Sequence, residues 1–194
     1  MKYIGSSRAA VVILIAIALF SLSCSSNELT DSASPVALVL SNTQDLDVID
    51  LEPGATGCDA NIGQVQIRSI LLDPTPNVDQ RFNDVRIRRY QVSYRRTDGG
   101  TLIPQPFVQS IDLFIAANGQ SDLGSFRIFQ RESLTQAPFA ALLPSNGNRD
   151  PETGRRTVSM DVTLQVFGET LAGSNVAGST TFPITFCYDC GGCG

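Results

Sequence analysis

The five cysteines of this 194-residue chain are the residues whose reactivity and spacing indicate a chemical role, as disulfides or as metal ligands. Cys187, Cys190 and Cys193 close the sequence in a Cys-x2-Cys-x2-Cys pattern, Cys58 lies far upstream, and Cys24 follows an apolar N-terminal stretch. In an oxidising compartment, thiols at this spacing form disulfides, whereas in a reducing one they bind zinc or an iron–sulfur cluster. The chemistry therefore depends on where the chain resides.

The N-terminus indicates export. The basic residues Lys2 and Arg8 precede an uninterrupted apolar run, Ala9 to Phe20, and small side chains stand at Ser21 and Ser23. The stretch from residue 9 to 22 is shorter than the roughly 20 residues that span a bilayer. Basic start, short apolar core and small residues before a cleavage point are typical of a secretory signal peptide. We expect this peptide to cover residues 1–23.

The cysteine at the cleavage point, followed by the polar residues 25–32, resembles the lipobox of bacterial lipoproteins. The resemblance implies that Cys24 carries a diacylglycerol and a further acyl chain such as palmitate. It also implies outer-membrane sorting, because Ser25 replaces the Asp that retains such proteins elsewhere. Ser21 and Leu22 depart from the usual apolar-then-small order, so cleavage without lipidation and an uncleaved anchor stay as alternatives. Residues 24–35, which end at Pro35, are predicted to form a flexible tether.

With Cys24 acylated, four thiols remain, and export favours two disulfides. A two-bridge pattern pairs Cys58 with one of the three C-terminal cysteines. The remaining bridge is then Cys187 with Cys190, Cys190 with Cys193, or Cys187 with Cys193. The alternative is a metal-binding or redox module built on the same four cysteines.

The composition argues against catalysis and against nucleic-acid binding. The chain has no His, and its one lysine, Lys2, leaves with the signal peptide, so a serine nucleophile would lack a base. No spacing singles out a carboxylate pair, and we predict neither enzymatic activity nor a cofactor nor a resident metal. The mature chain holds 12 arginines against 19 acids, a net charge of −7, which disfavours nucleic acid. The expected partners are the membrane and an envelope protein or glycan that the sequence does not define.

Clustered charges offer three further candidate sites. The first is an arginine group, for which we favour ion pairs on a solvated strand face over an anionic-ligand surface. The second is an acidic segment, expected to be a charged edge strand rather than a cation site. The third is a loop of alternating oxygen ligands, expected to be ordinary rather than calcium-binding. These sets are, in order, Arg86, Arg88, Arg89, Arg95 and Arg96; Asp45, Asp47, Asp50 and Glu52; and Asn146, Asn148, Asp150 and Glu152.

From Val36 onward the apolar residues alternate with period two, which predicts strands. The clearest alternation runs from Thr157 to Gly168. The apolar phase slips near Arg88 and Arg89, which predicts a β-bulge there, and Pro183 predicts an edge position or a break. Strands are predicted at residues 36–40, 45–51, 63–72, 85–96, 107–116, 124–130, 157–168 and 176–186, with a short helix or turn at 131–143 interrupted at Pro138.

This spacing predicts an all-β domain over residues 36–194, a two-sheet antiparallel β-sandwich of seven to eight strands with a Cys-rich C-terminal tail. Residues 89–100, 166–168 and 181–186 resemble a group of uncharacterised bacterial lipoproteins. That resemblance implies an immunoglobulin-like sandwich and lends no activity. The sequence thus favours a non-catalytic binding or structural module of the cell envelope.

Overall fold

A computed structural model describes residues 34–42, 48–52, 61–62, 65–72, 80–124 and 126–190, with the backbone alone at 61–62. These residues belong to one compact unit, Ser34–Gly194. The predicted signal peptide, Cys24, Cys58 and Cys193 lie outside the described residues.

The described residues form ten strands, and all eight predicted strands are among them in whole or in part. Two very short strands, Asn61–Ile62 and Gln120–Asp122, are additional. In chain order the strands are β1 (Val36–Asn42), β2 (Val48–Asp50), β3 (Asn61–Ile62), β4 (Val65–Leu71), β5 (Val85–Arg96), β6 (Phe107–Ile115), β7 (Gln120–Asp122), β8 (Phe126–Arg127), β9 (Thr157–Thr170) and β10 (Asn175–Cys187).

Two main sheets pack together as a β-sandwich, which confirms the predicted fold class. One has the order β1-β4-β7, the other has the order β2-β10-β9-β5-β6, and β3 pairs with β8 separately. The consecutive strands β9 and β10 lie beside β5 and then β6, as the last strands of a variable-type immunoglobulin domain lie beside its third and fourth. β2 pairs in parallel with β10, an exception to the antiparallel prediction. β1 and β2 are consecutive along the chain and belong to different sheets.

The core lies between the inner faces of the two sheets. Along β9, Val158, Met160, Val162, Leu164 and Val166 are each at most 1% exposed, and the residues between them face outward. Because successive side chains of a strand point to opposite faces, this alternation gives one buried and one solvated face. The core is closed at one end by three mutually packed aromatic rings, those of Phe129, Phe139 and Phe186.

The predicted bulge in β5 is present. The register of β5 against both β6 and β9 shifts between Ile87 and Arg89. Gly168 of β9 lies opposite, and a Cβ there would collide with the Arg86 carbonyl oxygen and lie 2.9 Å from Ile87 Cα. The bulge therefore depends on the absence of a side chain at residue 168.

The predicted short helical segment is also present. Arg131–Thr135 is a 3-10 helix, and α1 (Phe139–Leu142) follows it after the interruption at Pro138. Phe139 and Leu142 are buried against the core. Pro183 pairs with Asp161 of β9, whereas β10 pairs with β2 over Thr185–Cys187 in the described residues. Because the pairing of β10 with β2 is described only over Thr185–Cys187, the edge position expected for Pro183 stays a prediction.

The strand directions define two ends of the sandwich. The far end holds the last residues of β5 and β10 and the first of β9. The entry end holds Ser34 and the first residues of β1 and β5, together with the last of β4 and β9.

Candidate functional site

Two of the candidate cysteines are joined at the far end. Cys187, the last residue of β10, forms a disulfide with Cys190, and their Cα atoms are 6.0 Å apart. This is one of the three C-terminal pairings that the sequence left open. Cys58 and Cys193, the partners of the expected second bridge, lie outside the described residues, so that bridge stays a prediction.

The disulfide ring is held by the buried carboxylate of Asp50. This side chain accepts hydrogen bonds from the backbone N–H groups of Asp189 at 3.0 Å and Cys190 at 2.9 Å. Asp50 is 3% exposed and was expected on a charged edge strand. In the described residues β2 is the edge strand of the five-stranded sheet, as expected, but the Asp50 carboxylate is buried and accepts from backbone donors of the turn instead of facing solvent. Asp45 and Asp47 of the same segment lie outside the described residues.

The metal and redox interpretations find little support in this geometry. Among the residues that the structure describes, no group of three or more His, Cys, Asp or Glu side chains is arranged to hold a metal ion. A carboxylate bonded to the Cys190 N–H places negative charge beside the ring, and negative charge disfavours a reactive thiolate. The complete four-cysteine set includes Cys58 and Cys193, so the metal-binding alternative stays a prediction.

A second set of charged groups at the far end surrounds Arg96, the last residue of β5. Its guanidinium is 2% exposed and binds Asp98 at 2.7 Å and Asp150 at 2.9 Å, whose side chains are 2% and 0% exposed. Glu152 lies 3.7 Å away. The guanidinium also donates to the Leu102 carbonyl oxygen at 3.1 Å. We call Arg96, Asp98, Asp150 and Glu152 the Arg96 network.

The Arg96 network ties two loops to the sheet. Asp98 accepts from the backbone N–H of Ser159 in β9, at 3.0 Å, and of Gly100. Glu152 accepts from the backbone N–H groups of Thr101 and Leu102 at 2.7 and 2.8 Å. Residues 97–106 and 144–156 are therefore held against each other and against the sheet by charge-assisted hydrogen bonds, which are the stronger kind.

The carboxylates of the network are held ionised. Burial alone would raise the pKa of Asp98, but bonds from Arg96, Ser159 N–H and Gly100 N–H outweigh it and lower that pKa to about 2. Burial likewise opposes ionisation of Asp150, and bonds from Arg96 and Thr153 prevail and lower its pKa. A general acid needs a raised pKa near neutrality, so these groups are poorly suited to proton transfer.

The loop of alternating oxygen ligands forms part of this network. Arg96 occupies the place of a cation between Asp150 and Glu152, and the Asn146 amide donates to the Ala140 carbonyl oxygen at 2.7 Å. A calcium ion needs six or more oxygens that converge on it. Two buried oxygens of the loop, Asn148 Oδ1 and Asp150 Oδ1, accept no hydrogen bond from the described residues, so the choice between an ordinary loop and a calcium site stays a prediction.

The remaining candidate arginines lie on the outward face of the five-stranded sheet and have partners there. Arg86 pairs with Asp112 of β6, and Arg88 with Glu169 of β9. Arg95 pairs with Asp161 of β9, and the Arg89 guanidinium lies 4.9 Å from the Phe167 ring centroid. These contacts agree with the favoured ion-pair interpretation. The anionic-ligand surface stays an untested prediction.

The tyrosines of β5 are structural. Tyr94 donates its hydroxyl to the Ile128 carbonyl oxygen at 2.7 Å, and Tyr90 donates to the Gln109 side chain at the same distance. Burial raises the pKa of both phenols. Neither is therefore a ready proton donor or acceptor.

The sequence did not predict that Asp98 and Asp150 pair with Arg96. It also did not predict that Asp50 accepts hydrogen bonds from the disulfide ring. The Arg-x-Asp spacing directly after β5 is a signal for the Arg96–Asp98 contact. Asp150 is 54 residues from Arg96, and Asp50 is 140 residues from Cys190, so no local pattern joins them.

Comparisons with known proteins add no family. The chain matches no protein-family model, and no curated protein is similar to it. Among the described residues, no helix combines the length and apolar content needed to cross a membrane.

Proposed function

We propose that this chain is an exported lipoprotein of the outer membrane, anchored by lipid on Cys24, whose β-sandwich is a non-catalytic binding or structural module of the cell envelope. The short apolar run, the cysteine after it and the polar tether support the anchor. The net charge of −7 expected after cleavage supports a partner other than nucleic acid.

The observation that carries the non-catalytic part is the state of the buried carboxylates. In the described residues, Asp50 is bonded to backbone N–H groups, and Asp98 and Asp150 are bonded to Arg96. Acids bonded in this way stabilise loops, and because the pKa values of Asp98 and Asp150 are lowered, neither has a proton to donate to a substrate near neutral pH. The far end is therefore built as a rigid scaffold.

The outward face of the five-stranded sheet supports a binding role. Hydroxyl groups face each other across β9 and β10, with Thr163 and Thr181 oxygens 3.0 Å apart and Ser159 and Thr185 oxygens also 3.0 Å apart. Val108 and Phe114 of β6 are 57% and 55% exposed at the edge of this face. A sheet face that presents hydroxyls and exposed apolar side chains on either side of β5 suits an envelope protein or a glycan, which present both kinds of group.

The anchor is tested by labelling cells with an alkyne analogue of palmitate and fractionating the membranes. We expect the native chain to be labelled and to sediment with the outer membrane. The Cys24→Ala chain should lose the label and the membrane association together. The neighbouring Ser25→Ala variant is the matched control and should keep the label. An unlabelled native chain would overturn the lipoprotein proposal.

A further inference from the structure

Five separate segments of the described residues meet at the entry end of the sandwich. Leu72 N–H donates to the Pro35 carbonyl oxygen at 2.9 Å, and Leu71 N–H donates to the Asn118 side chain at 3.0 Å. Ala117 N–H donates to Asp84, whose own carbonyl accepts from Leu171 N–H, both at 2.8 Å. This hydrogen-bond chain crosses from one sheet to the other and fixes the segments relative to each other.

Apolar side chains are exposed where these segments meet. Leu72 and Phe82 are 61% and 60% exposed, the highest values among the large apolar side chains of the described residues. Leu171 is 57% exposed, and Ala172 N–H donates to the Phe82 carbonyl oxygen at 2.9 Å, so these two segments are adjacent. Single exposed apolar residues are normal on a soluble surface, whereas several that share one end of a domain are typical of a contact surface.

Several of the described charged groups beside this surface have partners. Arg86 is bound to Asp112 and Arg88 to Glu169, and the Asp84 carboxylate accepts from Ala117 N–H. Groups already neutralised or bonded lose less on leaving water than free charges do. The long arginine side chains can also extend their charged ends toward lipid headgroups while their stems stay in apolar surroundings.

The chain itself indicates what this surface meets. It enters the sandwich at Ser34, at this end, and Ser34 lies ten residues after Cys24, the predicted site of the lipid anchor. Ten residues reach at most about 33–36 Å when fully extended. The entry end is therefore the part of the sandwich that is closest to the predicted anchor along the chain.

We propose that the entry end is a membrane-contact surface, with Leu72, Phe82 and Leu171 seated in the interfacial layer of the lipid bilayer that holds Cys24. The proposal rests on the lipid anchor proposed above. Apolar and aromatic side chains gain free energy on leaving water for this layer, and an anchored domain meets it without a further loss of translational freedom. The sandwich then stands with its far end directed away from the membrane.

The chain has no tryptophan, so one substitution gives a unique fluorescent reporter. The full-length lipidated protein carrying Phe82→Trp is purified from membranes and reconstituted into phosphatidylcholine vesicles, with or without dibrominated acyl chains. Leu102→Trp is the matched control, because Leu102 is 39% exposed and lies in the loop that follows β5 at the far end. Leu171→Trp is an independent second reporter at the entry end.

For Phe82→Trp and Leu171→Trp, we expect a blue-shifted emission in vesicles and quenching by the brominated lipid at least about twofold stronger than for Leu102→Trp. Equal quenching at both ends, in vesicles that carry the protein, would overturn the contact surface and leave the anchor intact. A wild-type chain that does not float with the vesicles would overturn the anchor and the contact surface together. Unchanged circular dichroism and thermal unfolding establish that each variant is folded.

Discussion

The two ends of the sandwich differ in the side chains that they bury and expose. The far end buries charge, with Arg96 bound to Asp98 and Asp150, and closes β10 with the Cys187–Cys190 disulfide. The entry end exposes apolar side chains such as Phe82 and Leu171 and is fixed by backbone hydrogen bonds. Polar residues can therefore stabilise the fold, and exposed apolar residues can bind a partner. The burial and the hydrogen-bond partners of a residue indicate its role better than its type does.

The largest expected effect comes from removing the central cation of the far end. Arg96→Met leaves two buried carboxylates without their partner, and breaking a buried pair in this way costs about 3–5 kcal/mol. Arg95→Met is the matched control, because the neighbouring Arg95 side chain is 81% exposed and its ion pair with Asp161 should contribute less than about 1 kcal/mol. Urea unfolding of both variants measures the difference. Equal losses would mean that the Arg96 network is no more stabilising than a surface pair.

Acid should weaken the far end. The pKa of Asp98 is lowered from 3.8 to about 2 in the folded chain, so its contribution is complete above pH 4 and is lost as the pH falls toward 2. The shift corresponds to about 2 kcal/mol of unfolding free energy. Urea unfolding at pH 4, 3 and 2 should show a shallower decline for Asp98→Asn than for the native chain. Asp161→Asn is the surface control, and an identical decline in all three chains would refute the assignment.

The disulfide closes a ring of four residues and should contribute about 2 kcal/mol. The Cys187→Ser and Cys190→Ser double variant should lose this amount in chemical denaturation. We expect Asp50 to hold the turn partly in place by its bonds to Asp189 and Cys190, so the fold should persist. Unchanged stability on losing both sulfurs would show that the ring is unimportant at the far end.

The smallest effect is expected at the entry end. Phe82→Ser and Leu171→Ser alter exposed side chains and should change the unfolding free energy by less than about 0.5 kcal/mol. Leu142→Ala, in a fully buried position beside the far-end aromatic rings, should cost about 2–5 kcal/mol and serves as the contrast. Thermal unfolding compares the three variants. A large loss from Phe82→Ser would mean that this residue supports the fold, against the proposed contact role.

The strands could be predicted because their signal is local. Alternation along residues 157–168 fixes the buried face of β9, and the change of phase near Arg88 locates the bulge in β5. The ends could not be predicted, because their contacts join residues far apart in sequence. Asp150 meets Arg96, and Asp50 meets the disulfide ring, only after the sheets have formed.

The burial of the Asp50 carboxylate could not be predicted for the same reason. A run of carboxylates such as residues 45–52 is typical of a solvated edge, and β2 is indeed an edge strand. The turn after β10 leaves two backbone N–H groups that need acceptors, and Asp50 supplies them from within. The composition of residues 45–52 does not indicate that these N–H groups need an acceptor.

The most direct test of the account is the intact mass of the protein purified from the membrane fraction, measured under native and denaturing conditions, with and without reduction and thiol alkylation. We predict a chain that begins at Cys24 and carries three acyl groups, with about 4 Da missing for two disulfides before reduction. A chain without lipid, or a metal-sized adduct with thiols that alkylate after denaturation alone, would contradict the account and favour a metal or redox role for the cysteines.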